Sequence, residues 1–118
     1  MGTVLRDLIS VAVGGALGAS LRFAAGVGLA GWAGPWVIVG VNVIGSGLMG
    51  CLVARYPDPA SAPRLLLGAG VLGGFTTFSA FSADAVALGP RAGSAYVLAS
   101  VALALAAFHL GRLLGSPA

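Results

Sequence analysis

The chain has 118 residues, of which 58% are hydrophobic and 8% are charged; six arginines and three aspartates give a net charge of +3. A soluble domain carries about 25% charged residues, and a disordered chain combines low hydrophobicity with high net charge, so both classes are excluded. The scattered arginines form no basic cluster for nucleic acid, and the mean hydropathy of +1.04 predicts an all-α integral membrane protein.

Uncharged stretches divide the chain into four candidate membrane helices, because about 20 apolar residues are needed to cross the hydrocarbon core of a bilayer. A single four-helix domain over residues 1–118 is predicted, with helices at 4–27, 35–54, 64–88 and 92–114. The connecting loops are expected around Gly28–Gly34, Tyr56–Pro63 and Gly89–Arg91. The first helix can span only if Arg22 lies near one end and snorkels, or if it faces a wet cavity.

The arginines give a mild orientation signal. The side of the membrane that holds both termini carries four of them: Arg6, Arg55, Arg64 and Arg112. The opposite side carries Arg91, and also Arg22 if that residue emerges there. Four against two favours the termini inside, and the difference is small enough to permit insertion in both orientations.

Small residues four positions apart occur in three of the four helices. Lipid does not drive helices together as water does, so membrane helices associate through close backbone contact at small residues. These pairs therefore predict helix–helix contacts, and they are Gly14 with Gly18, Ser46 with Gly50, and Gly70 with Gly74.

The second helix contains one amide, Asn42, in an otherwise apolar stretch. An amide in hydrocarbon must find hydrogen-bonding partners. Its NH₂ group can donate to an anion and its oxygen can serve a cation, or the side chain can bond across helices for packing alone.

The third helix has the most unusual composition, with two adjacent glycines followed by hydroxyl and phenyl side chains over residues 70–84. The two adjacent glycines weaken the helix at this point, so we expect an unwound turn around Gly73–Thr76. Broken membrane helices expose carbonyls that hold ions. Phe75, Phe78 and Phe81 repeat every three residues and are expected on one side of the helix. They form either a packing ridge or an ion contact, in which ring edges favour an anion and ring faces favour a cation.

The fourth helix adds Tyr96 and Ser100, one turn apart, as a candidate polar stripe; Tyr96 also suits the aromatic belt at the membrane interface. No acidic residue lies in the middle of a predicted span, since Asp84 stands at the far end of the third. Proton-coupled exporters usually need an intramembrane carboxylate or histidine chain. Catalysis is also disfavoured, because His109 has no neighbouring nucleophile signature. Passive ion permeation fits these residues best.

Three motifs occur in order over nearly the whole chain. They are Gly14-Gly15-x-x-Gly18-Ala19-x-x-Arg22, Asn42-x-x-Gly45-Ser46 and Gly70-x-x-Gly73-Gly74-Phe75-Thr76-Thr77-Phe78-Ser79-x-Phe81-Ser82. Together they resemble the small bacterial fluoride channels of the Fluc, or CrcB, family. The resemblance implies an antiparallel, dual-topology dimer in the inner membrane, with two fluoride pores that give fluoride resistance. It also implies a structural sodium ion at the dimer centre, held by the backbone carbonyls of Gly73 and Thr76.

The same resemblance assigns the ion pathway. Ring edges of Phe78 and Phe81 are expected to face fluoride, with Asn42 as the pore amide and Tyr96 and Ser100 as the start of a polar track. The implied pathway also includes Arg22, Thr77 and Ser79. The chain departs from the family at Ala104, where a further hydroxyl would continue the track, and at Asp84, which replaces a glutamate.

Three alternatives stay open at this point. A small multidrug exporter shares the length, the four spans and the dual topology. A non-transporting assembly subunit would use the glycine pairs alone. Within the family, the chain could instead be one subunit of a heterodimer with a paralogous chain.

Overall fold

Four long helices make up the fold in the computed structural model, which describes residues 1–117. They run over Gly2–Ala33, Trp36–Arg55, Arg64–Ala87 and Gly89–Gly115, and each is long and apolar enough to cross a membrane. In hydrocarbon every backbone N–H and C=O must be paired internally, which is why uncharged stretches of this length form helices. The long axis of the molecule measures 48 Å, more than the roughly 30 Å of a hydrocarbon core. The four-span prediction is confirmed, and the chain is a multi-pass membrane protein.

The first connection is much shorter than predicted. The loop expected at Gly28–Gly34 is wrong for most of its length, because the first helix continues to Ala33. Glycines inside an apolar helix keep its backbone bonds, and it is Gly34 that ends the helix with a φ of 55°. The next residue, Pro35, then starts the second helix without needing a backbone N–H.

The loop predicted at Gly89–Arg91 is wrong as well. The fourth helix already begins at Gly89, directly after a turn at Leu88. Gly89 adopts a φ of 85°, which glycine takes readily, and Pro90 occupies the first turn of the helix, where no backbone hydrogen bond is lost. The last part of the third span and the fourth helix therefore form a tight hairpin.

The third span is broken, at a shorter segment than predicted that lies toward the end of the expected turn. A π-helix over Arg64–Leu72 passes into one α-helical turn, Gly73–Phe75, and an α-helix resumes over Phe78–Ala87. The two residues between, Thr76 and Thr77, are extended. The unwound turn expected at Gly73–Thr76 is thus correct only for Thr76.

Glycines join the first helix to the third span, as their spacing predicts. A Cβ atom added to Gly14 would overlap the carbonyl oxygen of Leu66, and one added to Gly18 would overlap that of Val71. From the other side, a Cβ on Gly74 would overlap the carbonyl of Gly15. The two backbones touch directly, so the predicted contacts at these pairs are confirmed.

The second and fourth helices are joined in the same way. A Cβ on Gly50 would overlap the carbonyl oxygen of Phe108, and one on Gly111 would overlap that of Gly47. Of the predicted pair in the second helix, Gly50 makes the helix contact, whereas Ser46 lines a cavity.

Candidate functional site

Asn42 spans the gap between the second helix and the break. Its Nδ2 atom donates to the carbonyl oxygen of Thr77 at 2.9 Å, and its Oδ1 atom accepts from the backbone N–H of Thr77 at 2.8 Å. One side chain thus satisfies both backbone groups of a residue that has left the helix. A primary amide has two N–H donors, so one remains free for another acceptor.

The backbone carbonyls of Gly73 and Thr76 are released by this arrangement. In an unbroken α-helix the N–H of residue i bonds the carbonyl of residue i−4. The Thr77 N–H, which would bond Gly73, goes to Asn42, and the Ala80 N–H, which would bond Thr76, goes to Thr77 Oγ1 at 3.3 Å. Both carbonyls therefore lose their usual donors, at or next to the extended residues Thr76 and Thr77.

Arg22 lies well inside the first helix, and its Nε atom donates to the carbonyl oxygen of Gly74 at 3.3 Å. Of the two positions left open for Arg22, the one near an end of the helix is not found, because the helix continues to Ala33. Its guanidinium group contacts the third span inside the protein.

The phenyl rings separate into two groups instead of sharing one side. Phe75 precedes the break and lies beside Gly45, so the predicted three-residue stripe is wrong for this residue. Phe78 and Phe81 follow the break, with ring centroids 5.5 Å apart and planes inclined by 46°. Phe81 is buried, whereas Phe78 is 78% exposed on the chain surface.

Tyr96 is buried in the protein, which rules out its alternative place in the interfacial belt. Only 1% of the residue is exposed, and its ring stacks on Phe81 at 5.5 Å with an interplanar angle of 22°. Its hydroxyl lies 3.3 Å from the carbonyl oxygen of Pro35 and 3.4 Å from Oδ2 of Asp84. A hydroxyl carries one hydrogen, so these two oxygens share a single donor.

Ser100 lies one turn further along the fourth helix and is also buried. Its Oγ atom has no hydrogen-bond partner among residues 1–117. A buried hydroxyl without a partner is costly, so this atom is available to a ligand or to water.

A surface cavity of about 650 Å³ brings part of the predicted set together. Its lining includes five of those residues: Asn42, Gly73, Thr76, Thr77 and Phe78. Ser79 adjoins it, with its Oγ 3.2 Å from Oγ1 of Thr77. The remaining predicted residues, Arg22, Phe81, Tyr96 and Ser100, lie outside this lining. Sequence reasoning missed the pair of hydrogen bonds between the Asn42 side chain and the Thr77 backbone. An amide that needs partners and lies opposite a predicted break was a usable signal.

Comparisons with known proteins agree with one another. The sequence model of the family described as "CrcB-like protein, Camphor Resistance (CrcB)" matches residues 9–112. The "Fluoride-specific ion channel FluC 1" of Rhodococcus jostii is 49% identical over 114 residues, covering 96% of this chain and 88% of the relative. Proteins named "Fluoride-specific ion channel FluC" from Rhodospirillum centenum and Agrobacterium fabrum are 44% and 46% identical, covering 93% and 92% of this chain and 95% of each relative. The chain therefore belongs to the CrcB family.

Proposed function

We propose that this chain forms a fluoride-selective channel that exports fluoride passively across the inner membrane and so gives fluoride resistance. The observation that carries the proposal is the cavity where the Asn42 amide, the phenyl ring of Phe78 and the hydroxyl of Thr77 meet at a helix break. Fluoride is small and strongly hydrated, so a channel must replace its water with several partial donors that hold it loosely. Relatives over nearly the whole chain carry the name of such a channel. This activity is ion permeation and not enzymatic turnover.

The functional unit in this proposal is an antiparallel dimer of two copies, with one pore on each side of the subunit interface. Support comes from the exposed position of Phe78 and from the open cavity beside it, which a second subunit would cover. A paralogous, oppositely inserted chain is the alternative partner. The mild arginine bias makes that alternative worth testing, because a homodimer needs both orientations of one sequence.

A structural sodium ion at the dimer centre fits the residues present. The carbonyls of Gly73 and Thr76 have lost their helical donors, and both residues line the cavity. Unwound carbonyls of this kind coordinate Na⁺ in other broken membrane helices. Two carbonyls from each subunit would give four oxygen ligands, and the ion would supply positive potential beside the anion pathway.

The aromatic and hydroxyl residues complete the proposed pathway. The Tyr96 ring covers one face of Phe81, which leaves the positive ring edge as the part that can meet an anion. Beyond these rings, the unpartnered hydroxyl of Ser100 continues the track on the fourth helix. The next position one turn on is Ala104, which carries no hydroxyl.

Reconstitution of the purified chain alone in liposomes tests the function and the partner together. We expect rapid fluoride efflux with little chloride efflux. Empty liposomes are the control. If flux is absent with the chain alone and appears when a second family member is added, the partner is paralogous; if neither preparation conducts fluoride, the channel proposal is wrong.

Replacing Phe78 by leucine tests the aromatic contact. Aromatic electrostatic contacts contribute about 0.5–1.5 kcal/mol, so fluoride efflux is expected to fall by up to about tenfold. Stability of the chain should change little, because the ring is exposed. Val86→Ala is the matched control, on the same helix and 83% exposed. Equal efflux from both variants would contradict a ring-edge contact at Phe78.

A further inference from the structure

Four of the backbone carbonyls at the break fall into two groups. Those of Gly74 and Thr77 accept hydrogen bonds from side chains, from Arg22 Nε at 3.3 Å and from Asn42 Nδ2 at 2.9 Å. Those of Gly73 and Thr76 are instead deprived of donors, because the N–H groups that would bond them are taken by other acceptors. A cation that enters the break thus meets two carbonyls already in use and two that are free.

We infer that Asn42, Thr77 and Arg22 are positioning residues that select which carbonyls at the break are available to a cation. The inference rests on the proposed function, in particular on the sodium site. It assigns these three side chains a role in which none of them touches the ion. The same three residues also belong to the proposed fluoride pathway.

Thr77 keeps the Thr76 carbonyl without its helical donor, through a contact within one turn of helix. It is the N-cap of the helix Phe78–Ala87, and its hydroxyl accepts the Ala80 N–H. A threonine in this position supplies an acceptor for one of the unpaired amides at a helix start. As long as the hydroxyl holds that amide, the helix cannot extend back by a turn and use the Thr76 carbonyl.

Asn42 acts on the carbonyls of Gly73 and Thr77 from a different helix. Its Oδ1 holds the Thr77 N–H, which prevents the preceding turn from closing onto Gly73. The same side chain blocks the Thr77 carbonyl through Nδ2. Arg22, from the first helix, blocks the Gly74 carbonyl. Three elements of the fold therefore converge on one five-residue stretch, where they occupy the carbonyls of Gly74 and Thr77 and keep the usual helical donors away from those of Gly73 and Thr76.

Thr77→Val is the sharpest test, because it removes only the hydroxyl and leaves both backbone bonds to Asn42 in place. The measurement is the Tm of the purified, detergent-solubilised protein in NaCl and in an equal concentration of N-methyl-D-glucamine chloride. We expect the wild type to melt at a higher temperature in NaCl. In Thr77→Val the Ala80 N–H is free to bond Thr76, so the Na⁺ concentration for half-maximal stabilisation should rise at least about tenfold.

Two further variants separate this role from a general loss of stability. Thr77→Ser keeps the hydroxyl acceptor and should restore the response to Na⁺. Ser82→Ala removes a hydroxyl from the same helix that bonds only the Phe78 carbonyl, and its response to Na⁺ should equal that of the wild type. A loss of helix capping alone would lower the Tm of Thr77→Val equally in both salts.

The possible results distinguish the positioning role, the sodium site and the channel from one another. An unchanged Na⁺ response in Thr77→Val, or failure of Thr77→Ser to restore it, overturns the inference. A wild type that does not respond to Na⁺ also overturns it, together with the sodium site, while fluoride efflux from liposomes would leave the channel standing. Absent efflux with a normal Na⁺ response would overturn the channel and leave the positioning role intact.

Discussion

Replacement of Asn42 by leucine is expected to reduce fluoride efflux by about thirtyfold or more. The substitution leaves the N–H and the carbonyl of Thr77 without their partners, and each unpaired buried polar group costs about 1–3 kcal/mol. The cost of two such groups is about 2–6 kcal/mol, which corresponds to a factor of about 30 or more in the equilibrium between the conducting geometry of the break and other geometries. The rate of fluoride release from reconstituted liposomes measures the effect.

The control for this prediction is Ile44→Leu, which introduces the same residue on the same helix. Ile44 is 58% exposed and has no part in the break. Its efflux rate should stay within a factor of about two of the wild type, as expected for an exposed apolar exchange below 0.5 kcal/mol. Wild-type efflux from Asn42→Leu would mean that the amide serves packing alone.

Replacement of Gly18 by valine is expected to prevent stable folding or to lower the melting temperature strongly. The Cβ atom would overlap the backbone carbonyl oxygen of Val71 and lie only 2.7 Å from the backbone nitrogen of Phe75. Backbone atoms cannot move aside as a side chain can, so the first helix must separate from the third span. Overpacking typically costs 1–3 kcal/mol, and here the larger value or more is expected. Size-exclusion chromatography and thermal melting in detergent measure the result.

Gly28→Val provides the matched comparison. Gly28 lies in the same helix, and a Cβ atom there has no neighbour within 4 Å. The variant should elute and melt nearly as the wild type does. Similar behaviour of the two variants would show that the first helix does not touch the third span through Gly18.

Much of the fold follows from local features of the sequence. Uncharged stretches of sufficient length give four spans, because only a helix satisfies its own backbone in hydrocarbon. The pairs Gly14 with Gly18 and Gly70 with Gly74 give the contact between the first helix and the third span, since close approach requires residues without a side chain.

The errors concern features that depend on distant residues. The unwound turn was expected around Gly73–Thr76, yet the extended residues are Thr76 and Thr77, because Asn42 from another helix holds Thr77. The depth of Arg22 could not be read from the sequence, since it depends on how far the first helix continues beyond Gly28. The family comparison now favours a fluoride channel over the multidrug exporter and the assembly subunit that the residues alone left open.

The two halves of the third span belong to different parts of the molecule. The half before the break touches the first helix through Gly70 and Gly74, and the half after it forms a hairpin with the fourth helix, where Ala85 meets Gly93. The two halves are therefore joined at the extended residues Thr76 and Thr77. A change in bilayer thickness, which membrane helices meet by tilting, would be concentrated at this joint. Ion occupancy and conduction should thus depend on the acyl-chain length of the surrounding lipid.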